Sequence, residues 1–433
     1  MHMKGNNFTF SAYMSPPPKF ARDGKNVSTA VRDFLCDDSY DDVKACGFDS
    51  VVGLYEHTVE QFEKAIGLAA KRGISFIVRD QNDFSDNTEK VIQKIALGED
   101  ASLETEILFD RLDKYFVNAN AVSLLAYDEP SVKMFTALAE MKKKFSERFP
   151  DKEFIVNLLP NYANENQLFG DENRKDDYRK YLEEFIGIVG TDNIYYDNYP
   201  LMIAEGKPVI REEYFSNLED VANICKKYDK DFYVFLLTLG HWSFRTVKDY
   251  RDIAWQVYTA MAYGAAGALT FTYWTMLGFA PGNKENVTTA LVTQDGKPTS
   301  AYYAMKEVIA EVKTFDKVYS GCKWVESACF LSENSKIRKV ADILRNKSVN
   351  GIELLFSDND ALVGAFDCGK RKAYMIVNIS DPADNSVMCA KVRFFGAEKI
   401  RVFTDGKQRE ETLVNGIYDF SVKSGGYCFI ELL

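Results

Sequence analysis

The chain predicts an α/β fold, a (β/α)8 TIM barrel followed by a small C-terminal antiparallel β-sandwich. Three observations carry that prediction. Eight short β-branched and aromatic runs alternate with longer amphipathic stretches over the first 316 residues. The runs are apolar nearly throughout, as parallel strands covered on both faces must be. From Lys317 the pattern changes to short alternating runs separated by turn residues. The expected boundaries are a barrel over 1–316 and a sandwich over 317–433.

The eight runs are Phe8–Met14, Ser50–Tyr55, Ser75–Arg79, Val122–Tyr127, Phe154–Leu159, Asn193–Asp197, Phe232–Leu237 and Ala268–Trp274. Helical periodicity falls between them at Val59–Arg72, Val132–Arg148, Asp176–Ile188, Leu218–Tyr228 and Asp249–Tyr263. Thr58, Asn217 and Thr246 stand where N-caps are expected. Eight strand-then-helix units in this length match a closed barrel. A doubly wound sheet is the rival, but it needs a phosphate-cradling loop after its first strand. Here that strand runs into Ser15-Pro16-Pro17-Pro18, and proline has no N–H to offer. Beyond the barrel, strands are expected at Leu362–Phe366, Ala373–Asn378, Lys391–Phe394, Lys399–Thr404, Ile417–Val422 and Tyr427–Leu432. Asp405-Gly406 and Gly425-Gly426 read as turns between them.

Composition narrows the function. Lys and Arg total 53 against 64 Asp and Glu, a net charge of -11. An acidic chain repels phosphate backbones and anionic lipid, so nucleic-acid binding and membrane insertion are not expected. Three histidines and eight cysteines without a CxxC pair argue against a metal centre, and no cofactor motif is spelled. Gly364 to Lys370 begins like a phosphate loop, yet Arg371 follows where Ser or Thr is required, and an alternating strand follows instead of a helix. Asp37, Asp38, Asp41 and Asp42 lack the glycine and glutamate of a calcium loop and read as a solvated helix face.

Barrel enzymes carry their chemistry at the C-terminal ends of the strands. Those ends hold Tyr55-Glu56-His57, Arg79-Asp80, Asp128-Glu129-Pro130, Asn157 to Asn161, Tyr195 to Pro200, Gly240-His241-Trp242 and Tyr273-Trp274. Carboxyl groups and aromatic rings around one rim describe a pocket for a neutral polyol. Glu129 at the fourth strand is the strongest candidate. A partly desolvated carboxyl there keeps its proton near neutral pH, and Asp128 beside it raises the pKa further. Arg79 would bind substrate or orient Glu129, or pair with Asp80 or Asp128. Glu56 is either a supporting acid or a surface cap, while Glu212 and Glu213 compensate a helix dipole.

With these residues in view, the chain resembles retaining glycoside hydrolases of the large (β/α)8 superfamily. The strand-4 acid is one basis. The other is Ala260 to Trp274 followed by Leu291 to Tyr303, which looks like the last strand and closing helix of family 42-like barrels. The resemblance implies a glycosidase acting on an oligosaccharide or glycan, with Glu129 as general acid/base and Trp274 as a sugar platform. Those enzymes carry Asn-Glu on strand 4 and a nucleophilic Glu at the end of strand 7. Here the pair is Asp128-Glu129, and Tyr233 to His241 has no carboxylate.

Three ways of completing the site follow. The Asp-Glu pair also resembles hexosaminidases of families 20 and 123, in which the substrate acetamide attacks. Asp128 would then hold the acetamide nitrogen, and Tyr196 or Tyr199 its carbonyl. Alternatively Asp197 supplies the second carboxylate, or the barrel binds sugar without hydrolysing it. Tyr55, Arg79, Tyr196, Tyr199, His241 and Trp274 form the expected substrate-binding set. Unpatterned cysteines favour a cytoplasmic protein, with secretion open if a signal peptide has been removed.

Overall fold

The computed structural model describes residues 7–23, 26–80, 87–278, 286–332, 335, 337 and 349–433. Eight parallel strands close into a barrel: β1 (Thr9–Tyr13), β2 (Ser50–Gly53), β3 (Ser75–Val78), β4 (Ala121–Asp128), β5 (Glu153–Leu158), β6 (Ile194–Asp197), β7 (Phe232–Leu237) and β8 (Gly267–Phe271). Each expected run forms a strand, and β1 pairs with both β2 and β8 to shut the cylinder. Helices surround it. Thr58 caps Val59–Ala70 by accepting from the Gln61 N–H at 3.3 Å.

Two expected caps lie elsewhere. Helix Tyr214–Tyr228 starts three residues before Asn217, which is fully buried. Its Oδ1 accepts from Asn198 Nδ2 at 2.7 Å and the Asn161 N–H at 3.2 Å, tying the loops after β5 and β6 to the helix. Helix Tyr250–Ala262 is capped by Asp249, which accepts from the Arg251 N–H, rather than by Thr246. Two hairpins sit on strand-to-helix connections: Phe20–Asp23 with Asn26–Thr29 after β1, and Leu201–Ala204 with Lys207–Ile210 after β6.

The C-terminal region is an antiparallel sandwich of β9 (Lys323–Phe330), β10 (Ile352–Ser357), β11 (Ala361–Asp367), β12 (Lys372–Asn378), β13 (Val387–Phe394), β14 (Lys399–Thr404), β15 (Lys407–Thr412), β16 (Ile417–Lys423) and β17 (Tyr427–Leu432). One sheet runs β9-β11-β12-β17-β14-β15 and the other β10-β13-β16. Sequence periodicity misses β9, β10 and β15 for identifiable reasons. Bulges at Trp324/Glu326 and Leu354/Phe356 break the two-residue alternation in the first two. The third, Lys-Gln-Arg-Glu-Glu-Thr, is a mostly exposed edge strand.

One face of the larger sandwich sheet packs into the barrel core, which Phe366, Met375 and Phe429 join, while Val363, Ile376, Val392 and Ile430 belong to a separate cluster inside the sandwich. The phosphate-loop lookalike finds its role here. A Cβ on Gly364 would lie 2.0 Å from the Ala262 carbonyl oxygen, so glycine lets β11 press against helix Tyr250–Ala262. Tyr258 stacks on Tyr427 at 4.0 Å, and Arg245 bonds Asp381 at 2.7 Å. Asp37 and Asp41 pair with Arg72. Although the cysteines are unpatterned in sequence, Cys322 and Cys368 form a disulfide, 46 residues apart. Spacing conceals it because the partners meet only when β9 pairs with β11. Among the described residues no helix is long and apolar enough to cross a membrane.

Candidate active site

A cavity of about 400 Å3 opens at the C-terminal end of the barrel, within the size range of small-molecule sites. Asp128, Asp197 and Phe271, the last residues of β4, β6 and β8, all line it. Its two sides differ. Strands β4, β5 and β6 contribute Asp128, Glu129, Asn157 and Asp197. The segments around β7, β8 and β1 contribute Phe235, His241, Trp242, Phe271, Met276, Val287 and Tyr13.

The acidic wall is built by three local devices. First, β4 carries an extra residue between Leu125 and Tyr127 relative to β5, a bulge of the kind that re-aims the side chains beyond it. Second, Glu129 adopts the left-handed backbone region at φ 50°, a conformation that costs a non-glycine residue about 1–3 kcal/mol. Its N–H donates to the Asn157 carbonyl at 2.8 Å, and Tyr181 Oη holds the next carbonyl, that of Pro130. Third, Asn157 Nδ2 donates to Asp128 Oδ1 at 2.9 Å while Arg79 lies 3.4 Å from Asp128 Oδ2. Asp128 thereby has a fixed orientation beside Glu129.

Glu129 keeps an accessible surface in the cavity mouth while protein surrounds it at longer range. That desolvation, followed by the charge of Asp128, raises its pKa to about 7. Asp197 is only 7% exposed, and its Oδ1 has no hydrogen-bond partner. Burial first, then Glu129 and Asp128, push its pKa well up. Strands β4 and β6 flank β5, so their backbones run about 10 Å apart and inward side chains from both converge. The charge of Glu129 therefore adds to burial in disfavouring ionisation of Asp197.

Of the expected substrate-binding set, Tyr199 and His241 line the cavity. Tyr199 packs edge-on to His241 and against Phe271. His241 Nδ1 lies 3.0 Å from the Leu239 carbonyl. The described lining does not include Tyr55, Arg79, Tyr196 or Trp274. Tyr196 sits between two inward positions, Tyr195 and Asp197, so strand alternation turns it outward to the helix layer. Tyr55 is fully buried, accepting from the Leu277 N–H at 3.1 Å. Arg79 stands behind Asp128 and also pairs with Glu89 at 3.1 Å. Asp80 pairs instead with Arg111 at 2.6 Å. Trp274 lies three residues past the end of β8, buried against Phe34 with ring centroids 4.6 Å apart. Glu56 is neither exposed nor a cap. It is buried with Ser15 Oγ donating to it at 2.8 Å, and burial lifts its pKa to about 7.

Phe271, rather than Trp274, lines the described cavity. Counting in twos along β8 puts Gly267, Leu269 and Phe271 on one face, which the length of the apolar run obscures. Phe271 contacts Tyr13, Tyr199 and His241, at the centre of an aromatic cluster. Trp242 is equally informative. Sequence reasoning drew attention to its neighbour His241, yet the indole is 66% exposed at the cavity mouth.

No protein-family model matches the chain, and no curated protein does. Among solved structures, it is similar to an α-amylase from Anoxybacillus at 12% identity, with a TM-score of 0.54, covering 100% of this chain and 99% of that one. It is also similar to a β-galactosidase from the Antarctic haloarchaeon Halorubrum lacusprofundi at 9% identity, with a TM-score of 0.50, covering 98% and 99%. At these identities the likeness is one of fold: a (β/α)8 barrel carrying a C-terminal β-sandwich.

Proposed function

We propose that the protein is a glycoside hydrolase that cleaves an O-glycosidic bond with two carboxyl groups, Glu129 and Asp197. The observation that carries this reading is the buried Asp197 Oδ1, which lacks a hydrogen-bond partner in a cavity it shares with Glu129. Two carboxyl groups in different environments, one more open and one buried, can supply an acid and a base together. Glu129, in the more open position, gives its proton to the glycosidic oxygen as the bond to the anomeric carbon breaks. Ionised Asp197 then stabilises the positive charge developing on the sugar, and either attacks the anomeric carbon or takes a proton from the attacking water. The similar folds described as an amylase and a galactosidase support the glycosidase class.

Asp128 is the weaker choice for the second group. It already bonds Asn157 and pairs with Arg79, and holding a substrate acetamide would compete with both. The test is turnover of paired aryl 2-hydroxy- and 2-acetamido-hexosides by wild type and D197N. Loss of about 10²–10⁴ in kcat is expected on a 2-hydroxy substrate, with the folded protein intact by circular dichroism. A D197N enzyme running at the wild-type rate sinks the two-carboxylate reading.

A further inference from the structure

The glycosidase reading accounts for the acidic wall and leaves the opposite wall without a task. Phe271, Met276, Val287 and Trp242 face the carboxyl groups across the cavity and carry no charge. A sugar ring presents several hydroxyls, and each one buried without a partner costs binding free energy. The acidic wall can satisfy such a ring with Asp128, Glu129, Asn157 and Asp197. On the other wall Tyr13 and His241 can bond such a ring, while Trp242, Met276 and Val287 suit a group that needs few hydrogen bonds.

Trp242 sharpens the contrast. It too adopts the left-handed backbone region, at φ 47°, although it is not a glycine. Its turn is tightly stitched: the Phe244 N–H donates to the His241 carbonyl, the Ile203 N–H to Ser243, and the Arg245 N–H to Leu201. The chain thus holds a large apolar ring open to solvent at the lip of the cavity. A flat apolar ligand would cover it.

We infer that the group released with the glycosidic oxygen is apolar: the site takes glycosides of aromatic or alkyl alcohols, with the aglycone seated on Trp242, Met276 and Val287. This rests on the glycosidase reading, since protonation by Glu129 puts the sugar on the acidic side of the scissile oxygen and the departing group on the other. The aglycone keeps its own oxygen and leaves as the free alcohol, carrying the proton from Glu129.

The test compares benzyl glycosides with disaccharides of the same glycone, in both anomers of the gluco, galacto, manno, xylo and 2-acetamido-gluco series. Both leaving groups are alcohols of similar acidity, so the comparison isolates aglycone binding. In wild type, kcat/KM is expected to be at least tenfold higher for the benzyl substrate. W242A should lose at least tenfold on it and less than twofold on the glycosyl fluoride, whose leaving group is too small to reach the indole. W242F should recover most of the loss. Equal or better use of the disaccharide, an unchanged benzyl rate in W242A, or an equal loss on the fluoride overturns the inference. If wild type and E129Q are equally silent on every compound, it is the glycosidase reading that fails. Quenching of indole fluorescence by the same ligands then decides the apolar seat. Tenfold tighter benzyl binding, lost in W242A, supports it, and parity or no binding overturns it.

Discussion

The wall made by β4, β5 and β6 and the wall made around β7, β8 and β1 face one another across a single cavity. The first presents Asp128, Glu129 and Asp197, the second Phe235, Phe271 and Trp242. Each has a lining residue in the left-handed backbone region that is not glycine, Glu129 on one side and Trp242 on the other. The chemistry differs, but the two are not independent. Burial is the largest influence on the pKa of both Glu129 and Asp197, ahead of any neighbouring charge. Apolar rings opposite a carboxyl group displace the water that would otherwise stabilise its ionised form. The apolar wall therefore helps to set the electrostatics of the acidic one.

The largest effect should come from the acidic side. E129Q keeps the shape and removes the transferable proton, so kcat on an alkyl glycoside is expected to fall by about 10²–10⁴. Next comes an attack on the apolar side. F271L trims the aromatic cluster, and KM should rise about tenfold with a smaller change in kcat, in line with loss of ring contacts each worth about 0.5–1.5 kcal/mol. Steady-state kinetics on a benzyl glycoside separate the two. If F271L instead loses kcat as E129Q does, the division of labour between the walls collapses.

A pH profile probes the coupling. Glu129 must be protonated to act as an acid, so kcat/KM should decline as pH rises through about 7. D128N removes a negative charge that raises this pKa, and its limb should move to lower pH. Because desolvation outranks that charge, the limb should remain above the ordinary glutamate value of 4.5. A limb that stays put, or moves up, separates Asp128 from the pair. The smallest effect belongs outside the cavity. Y196F removes a buried hydroxyl that has no hydrogen-bond partner, so activity should stay within twofold and thermal stability should not fall.

The barrel was legible because eight apolar runs survive as a count even when their ends drift. The cavity lining was legible where it coincides with a strand terminus, as at Asp128, Asp197 and the adjoining Glu129. It was obscured where reach depends on phase. Tyr196 and Asp197 are neighbours in sequence but face opposite layers, and Trp274 stands beyond the strand whose last inward residue is Phe271. The acidic partner of Arg111 and the pairing of Cys322 with Cys368 were hidden for another reason. Each joins segments that meet only in the assembled fold.

The turn bearing His241 and Trp242 ends at Arg245, whose buried guanidinium bonds Asp381 of the sandwich and Asp252 of the adjoining helix. The lip of the cavity is thus moored to a layer that contributes none of the described lining residues. With one face of the sandwich buried in the barrel core beside helix Tyr250–Ala262, heating should melt barrel and sandwich in one calorimetric endotherm rather than two. A sandwich fixed in this way acts as a foundation, and cutting it away would unsettle the cavity mouth before it disturbed the strands beneath.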